Sequence, residues 1–171
     1  MIVVSVDPGL SGACAVLDHN GLRAVFDLPT MEIPNVGPKA LVKRKVDARA
    51  FTTQLLQHCP VGTAVQAVVE GVQVMAGKNN AVQTQGALLR TLGAIETVLE
   101  CLNWAPSYAH PQTWKRFFGL VDGELSDAQR KGESLRVARA LYPDRAELAR
   151  AKDHNRAEAV LIAHWWREKK A

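Results

Sequence analysis

The chain begins with Ile2-Val3-Val4-Ser5-Val6, an almost wholly apolar, β-branched run that ends in Asp7-Pro8-Gly9. Such a run marks a strand buried on both faces. A carboxylate closing it is costly unless it is paired or metal-bound. Pro8 and Gly9 turn the chain, and Ala13-Cys14-Ala15-Val16-Leu17 follows as a second run. Asp18-His19-Asn20-Gly21 makes another turn, whose Asn-Gly is a hairpin signal, into Leu22 to Leu28. The opening is a three-strand meander with one acid where its first strand ends. Taken alone, Asp7 reads equally well as a turn residue whose side chain bonds the backbone two residues on.

Met31 to Val42, with Pro34, Gly37 and Pro38, reads as a loop, and the basic triplet Lys43-Arg44-Lys45 follows it. Asp47 is a fair N-cap for a helix over about Ala48 to Cys59, which Pro60 and Gly62 end. Ala64 to Val69 is another apolar strand, and it closes on Glu70-Gly71, repeating the arrangement at Asp7. Val72 to Asn80 has no period and reads as a loop. Ala81 to Leu102 is the longest helix pattern, with Leu88, Leu92, Ile95, Leu99 and Leu102 on one face. Gly86 and Gly93, seven apart, share a stripe of that helix. Glycine costs about 1 kcal/mol in a helix interior, so the stripe implies close approach of the sheet or, second, of another copy of the helix.

Ser107 to His110 reads as a short strand, and Pro111 suits the first turn of a following helix. There Trp114 is expected in the core, with Lys115 and Arg116 turned toward a polyanion. Ser126-Asp127 starts a helix reaching about Leu141, made basic by Arg130, Lys131, Arg136 and Arg139. Ala146 to Lys152 is a short, charged, helical piece. In the last element, Asn155 and Glu158 match a capping box and by themselves need no further role. Yet Asp153, His154 and Glu158 crowd acids and an imidazole around the first turn of a helix whose apolar run follows.

The chain of 171 residues fits one compact domain with a real core. A net charge of +4 and a pI near 9.1 tilt toward a polyanionic partner. Cys14, Cys59 and Cys101 lack metal or disulfide spacing and read as buried free thiols of a reducing compartment. No signal peptide or membrane span is visible, so a cytoplasmic protein without a membrane partner is expected. No Ser-His or Cys-His pairing stands out. Acids ending two strands and opening the last helix, in a basic α/β chain, suggest a divalent-cation site. Hard oxygens suit Mg²⁺ or Mn²⁺, and two such ions about 4 Å apart clamp a phosphodiester.

Asp7-Pro8-Gly9 after an apolar strand, strand-end Glu70, Pro111-Gln112-Thr113-Trp114-Lys115 and Asp153-His154-Asn155-Arg156-Ala157-Glu158-Ala159 together resemble the RuvC Holliday junction resolvases, especially those of phages and prophages. The resemblance spans nearly the whole chain in matching order. It implies an α/β, ribonuclease-H-like fold, with a five-strand mixed sheet, its first three strands antiparallel, flanked by helices. It also implies a homodimer that nicks opposed strands of a four-way DNA junction with Mg²⁺, for which Mn²⁺ can substitute, and no nucleotide cofactor. Asp7 and Glu70 would then be metal ligands, with Glu158 in place of the family's final acid. Three residues ahead of that acid the family carries an acid or His, where this chain has Asn155. Asp153 is expected to substitute as the fourth catalytic and metal-binding residue, with His154 as the alternative. Lys43, Arg44, Lys45, Lys78, Lys115, Arg116, Arg130 and Lys131 are expected phosphate contacts, whose contribution weakens with salt. The loop after Glu70 could reach the junction crossover, and the Gly86/Gly93 stripe would fit a dimer interface.

Three rivals stand beside this reading. A nuclease of the same fold could act broadly on flaps and branched DNA, and a non-catalytic junction-binding protein would tolerate loss of the acids. An actin-like ATPase or sugar kinase opens similarly, but 171 residues leave no room for its second subdomain.

Overall fold

The computed structural model describes residues 1–72, 82–121 and 125–170. Three antiparallel strands, β1 (Ile2–Asp7), β2 (Ala13–Asp18) and β3 (Gly21–Asp27), form the expected meander. Its β1–β2 turn is closed by a hydrogen bond from Gly12 N to Gly9 O at 3.0 Å. A Cβ on Gly12 would sit 2.1 Å from the carbonyl oxygen of Asp7, so no other residue fits that turn without moving the end of β1. Gly21, at φ 119°, takes the left-handed side of the next turn.

Residues Met31 to Val42 are not wholly a loop, and the correction extends to the basic triplet. β4 (Thr30–Glu32) and β5 (Arg44–Val46) pair antiparallel as a separate two-stranded sheet. Strands this short, interrupted by a Pro- and Gly-rich connection, leave too few alternating positions to signal themselves. α1 (Ala48–His58) starts at Asp47, whose carboxylate accepts from Ala50 N at 3.0 Å. β6 (Val65–Glu70) then enters the main sheet parallel to β1. After α2 (Val82–Cys101), β7 (Ser107–Ala109) adds parallel to β6, giving the order β3-β2-β1-β6-β7. α3 (Pro111–Phe117), α4 (Asp127–Leu141), a 3₁₀ turn (Ala146–Leu148) and α5 (His154–Lys170) complete the chain.

Strand alternation divides the core between two faces. Ile2, Val4, Val6, Ala67 and Val69 pack with Phe51, Leu55 and Cys59 of the α1 segment and with Ile95, Val98 and Leu99 of α2. Val3, Ala15, Leu17 and Val68 pack on the other side with Trp114, Leu135, Leu148 and the Ala157–Ala163 stretch of α5. Small residues Ala157, Ala159 and Ala163 let α5 lie close on the sheet. The hydroxyl of buried Ser5 donates to Ala159 O at 2.6 Å and fixes α5 against the middle of β1.

Two further expectations change in three dimensions. Among the described residues, Gly86 and Gly93 have nothing within 4 Å of where a Cβ would be, so the sheet does not approach that stripe. Instead Ala87, Thr91, Ile95, Val98 and Leu99 face the core. Cys14 and Cys59 are buried free thiols, whereas Cys101, at the end of α2, is exposed. Among the described residues, no helix is long and apolar enough to cross a membrane.

Candidate metal centre

Alternation also sets the direction of the acids. Asp7 has the parity of Val3 and Ser5, and Glu70 that of Val68, so both point to the α5 side of the sheet. β1 and β6 are adjacent and parallel, with Val6 beside Val69, which makes Asp7 and Glu70 the next residues of a shared register. α5 lies on that face with Glu158 one residue before Ala159, the carbonyl to which Ser5 is tied. Asp7, Glu70 and Glu158 consequently bring one carboxylate oxygen each to within 4.8 Å of one another.

The electrostatics match that crowding. Burial, then the charges of Glu70 and Glu158, push the Asp7 carboxyl well above its ordinary range, while Lys115 and Lys131 pull it back. Glu70 is raised by burial and by Glu158, against Lys115 and a hydrogen bond from Trp114. Three hard oxygen donors with unbalanced negative charge fit a Mg²⁺- or Mn²⁺-type ion.

Neighbouring side chains complete the centre. α3 supplies two: Trp114 Nε1 donates to Glu70 Oε1 at 2.9 Å, and Lys115 Nζ lies 3.8 Å from Glu158 Oε2. The Lys115 ammonium also lies 5.0 Å from the centre of the Trp114 ring. From α4, the buried Ser134 hydroxyl is 3.4 Å from Glu158 Oε1, a weak contact, and it also donates to Arg130 O at 3.2 Å. Nothing in the sequence marks Ser134. Trp114 and Lys115 stood in a marked segment, but their carboxylate partners are 44 and 43 residues away.

Asp153 takes a different place from the one expected. Its carboxylate, 2% exposed, accepts from Arg150 N at 2.8 Å and from Arg150 Nη2 at 2.7 Å, with Arg156 Nη1 at 3.8 Å. Burial alone would raise its pKa, yet Arg150 and Arg156 together lower it. It is therefore outside the three-acid cluster, already neutralised by two guanidiniums. Arg156 in turn grips Asp27 at the end of β3, at 2.6 and 2.7 Å. His154, also outside the cluster, is half-buried beside a surface cavity shared with Leu10, Asp27 and Arg150. The capping-box alternative is not formed either. α5 starts at His154, which puts Asn155 inside the helix, where its side chain donates to Ser11 O.

The expected phosphate contacts are dispersed. Lys115 lies at the acids, and Lys131 is close enough to bias Asp7. Arg116 is exposed at the end of α3, and Arg130 donates to Leu125 O at 3.0 Å. Lys43 is exposed and Lys45 half-buried on the β4–β5 arm. Arg44 is held by Thr30, donating to its Oγ1 at 2.9 Å and its carbonyl at 2.7 Å. Lys78, with almost all of the Val72–Asn80 loop, lies outside the described residues.

A five-strand sheet of this order, with acids ending its two central parallel strands and a helix bringing a third, can be set against known structures. RuvC of Thermus thermophilus superposes with a TM-score of 0.54 at 16% identity, covering 99% of this chain and 97% of that one. The chain has the RuvC fold. The same RuvC in complex with Holliday junction substrate gives a TM-score of 0.63 at 17% identity, over 99% and 96% of the two chains. The resolvase of fowlpox virus, in complex with Holliday junction DNA, gives 0.55 at 15% identity over 99% of each. No protein-family model matches the chain, and no curated protein does.

Proposed function

We propose that this protein is a Holliday junction resolvase: a divalent-metal-dependent endonuclease that nicks opposed strands of four-way DNA junctions, working as a homodimer. The observation that carries this reading is the convergence of Asp7, Glu70 and Glu158 on one face of the sheet. The RuvC-type fold supports it, since both neighbours seen with DNA hold Holliday junctions.

In this reading Asp7, Glu70 and Glu158 hold Mg²⁺, and Mn²⁺ can replace it. The bound metal supplies an activated water and stabilises the leaving oxygen of the phosphodiester. Asp153 is left out of the ligand set because two arginines already neutralise it. Lys115 and Lys131 draw the scissile phosphate toward a cluster that would otherwise repel it. Lys43, Lys45, Lys78, Arg116 and Arg130 act on flanking phosphates and set the salt dependence. Arg44 serves the β4–β5 arm instead. The open face of α2, with Gly86, Gly93 and the half-exposed Leu89, is the surface assigned to the second copy. This reverses the order expected from sequence, in which the sheet came first.

The test uses a labelled synthetic four-way junction with Mg²⁺, beside matched linear duplex and flap DNA, for the unmutated chain and Asp7→Asn. Paired symmetric nicks on the junction alone, lost in the variant, are expected. Comparable cutting of flaps would make it a broader branched-DNA nuclease. Binding without cutting in either Mg²⁺ or Mn²⁺ would leave a junction-binding module.

A further inference from the structure

Trp114 is fully buried, so its ring cannot stack on a nucleobase. Its volume alone would be supplied as well by another large apolar side chain, and the indole N–H is what distinguishes it. That N–H is aimed at Glu70 Oε1, across the gap between α3 and the end of β6. The fold does not demand a partner for every buried indole. Trp165, 7% exposed and packed in the same core cluster, leaves its Nε1 with no hydrogen-bond partner among the described residues. Trp114 instead spends its donor on one of the three convergent carboxylates.

We infer that Trp114 is a positioning residue of the metal centre: by donating to Glu70 Oε1 it fixes the carboxylate and presents Oε2 to the ion. This rests on the metal-centre reading above and deepens it. A free carboxylate at a strand end rotates about its last torsion and can offer either oxygen or both. With Oε1 held, the carboxylate plane of Glu70 is fixed and Oε2 is the oxygen left without that bond, so the entropy of choosing an orientation is removed before the ion arrives. The same helix turn carries Lys115, whose ammonium lies by the Trp114 ring and 3.8 Å from Glu158. Placement of the indole thus also sets where the nearest cation stands relative to a second carboxylate. Groups that orient ligands in this way are typically worth about 10- to 100-fold in metal affinity.

The experiment measures Mn²⁺ binding to the DNA-free protein by titration calorimetry, for the unmutated chain, Trp114→Phe and Trp114→His. Circular dichroism and thermal melting report the fold of each. Trp114→Phe, which keeps an aromatic ring but has no donor, is expected to bind Mn²⁺ about 10-fold more weakly. The Mn²⁺ concentration for half-maximal junction nicking should rise by the same factor. Trp114→His, which restores a ring N–H, should recover part of the loss. A readout on the unmutated chain does not depend on the variants folding. In its ¹⁵N spectrum the Trp114 indole resonance should shift with added Mg²⁺ while that of Trp165 stays in place. Equal Mn²⁺ affinity in the unmutated chain and Trp114→Phe, or an indole resonance unmoved by a bound ion, overturns the role of Trp114 alone. No ion binding by the unmutated chain overturns the metal centre itself, and the inference with it.

Discussion

Gly12 and Asp7 show how tightly single residues are constrained at the end of β1. A methyl group on Gly12 would overlap the Asp7 carbonyl, so Gly12→Ala must displace the strand end that carries the acid. The expected outcome is a loss of about 2 kcal/mol in urea unfolding, of the order seen on overpacking, together with a larger fractional loss of junction nicking. Asp7 itself works against the fold while no cation is present. Its pKa and that of Glu70 are raised in the folded state. The folded chain therefore holds more protons there than the unfolded one, and stability falls as pH rises from the ordinary carboxylate range into the raised one. Asp7→Asn removes the larger part of that penalty. In EDTA at about pH 7 the variant should be more stable than the unmutated chain. The gap should close as pH falls toward the ordinary carboxylate value, and in Mg²⁺ the variant should not nick junctions at any pH. Thermal melts across pH check the sign: a variant less stable at neutral pH would mean that the acids are not in repulsion.

Between elements, the Arg150–Asp153–Arg156–Asp27 network ties the approach to α5 to the end of β3. A buried carboxylate flanked by two guanidiniums is costly to disrupt, because removing one partner strands the others. Asp153→Asn is expected to cost about 2–3 kcal/mol of stability while leaving the Mn²⁺ affinity of the folded protein unchanged. Calorimetry separates this from a ligand role, in which metal affinity would fall and stability would not. The pH sense is opposite to that of Asp7. The pKa of Asp153 is lowered, so its contribution is present above the ordinary carboxylate value and lost as pH falls through the folded one.

For the whole molecule, the distribution of cations predicts how DNA binding responds to salt. Each phosphate contact contributes about −0.9 to the slope of log affinity against log salt on duplex DNA. Lys131→Ala, close to the acids, should reduce the steepness of that slope by about 1. Arg44→Ala should leave the slope unchanged and destabilise the arm, because its guanidinium is engaged by Thr30. Titrations of a four-way junction in Ca²⁺ at several salt concentrations decide between these outcomes. The open α2 face makes a second prediction at this scale. If the proposed second copy docks on this face, Gly86→Leu should shift sedimentation from dimer toward monomer and unpair the two nicks, with little effect on folding, since among the described residues no neighbour lies within 4 Å of a Cβ there.

Apart from the short β4–β5 pair, the order of elements was legible in the sequence because it is written in local patterns. The β-branched runs ending at Asp7 and Glu70, the turn at Asn20-Gly21 and the helix that carries Leu88 to Leu99 each act over a few residues and were found where expected, although the buried stripe of that helix is centred on Ala87, Thr91, Ile95, Val98 and Leu99. The direction of Asp7 and Glu70 follows from strand parity, which is also local. Which groups meet across the fold was not legible. Asp153 and Glu158 lie five apart near the start of one helix, yet one is held by arginines and the other turns to the strand-end acids. The difference depends on Arg150 and on how Ser5 seats α5 against β1. Likewise the volume of Trp114 announced a core residue, while the partner of its N–H depended on α3 docking beside the end of β6. The sequence by itself determined the strands of the main sheet, the helices and the face on which Asp7 and Glu70 point, because propensity and alternation are set by neighbours in the chain. The tertiary structure alone decided which carboxylates share a site and which cations answer them. Those interactions act through space at a few ångströms, and apart from the grip of Arg150 and Arg156 on Asp153 they join residues tens of positions apart.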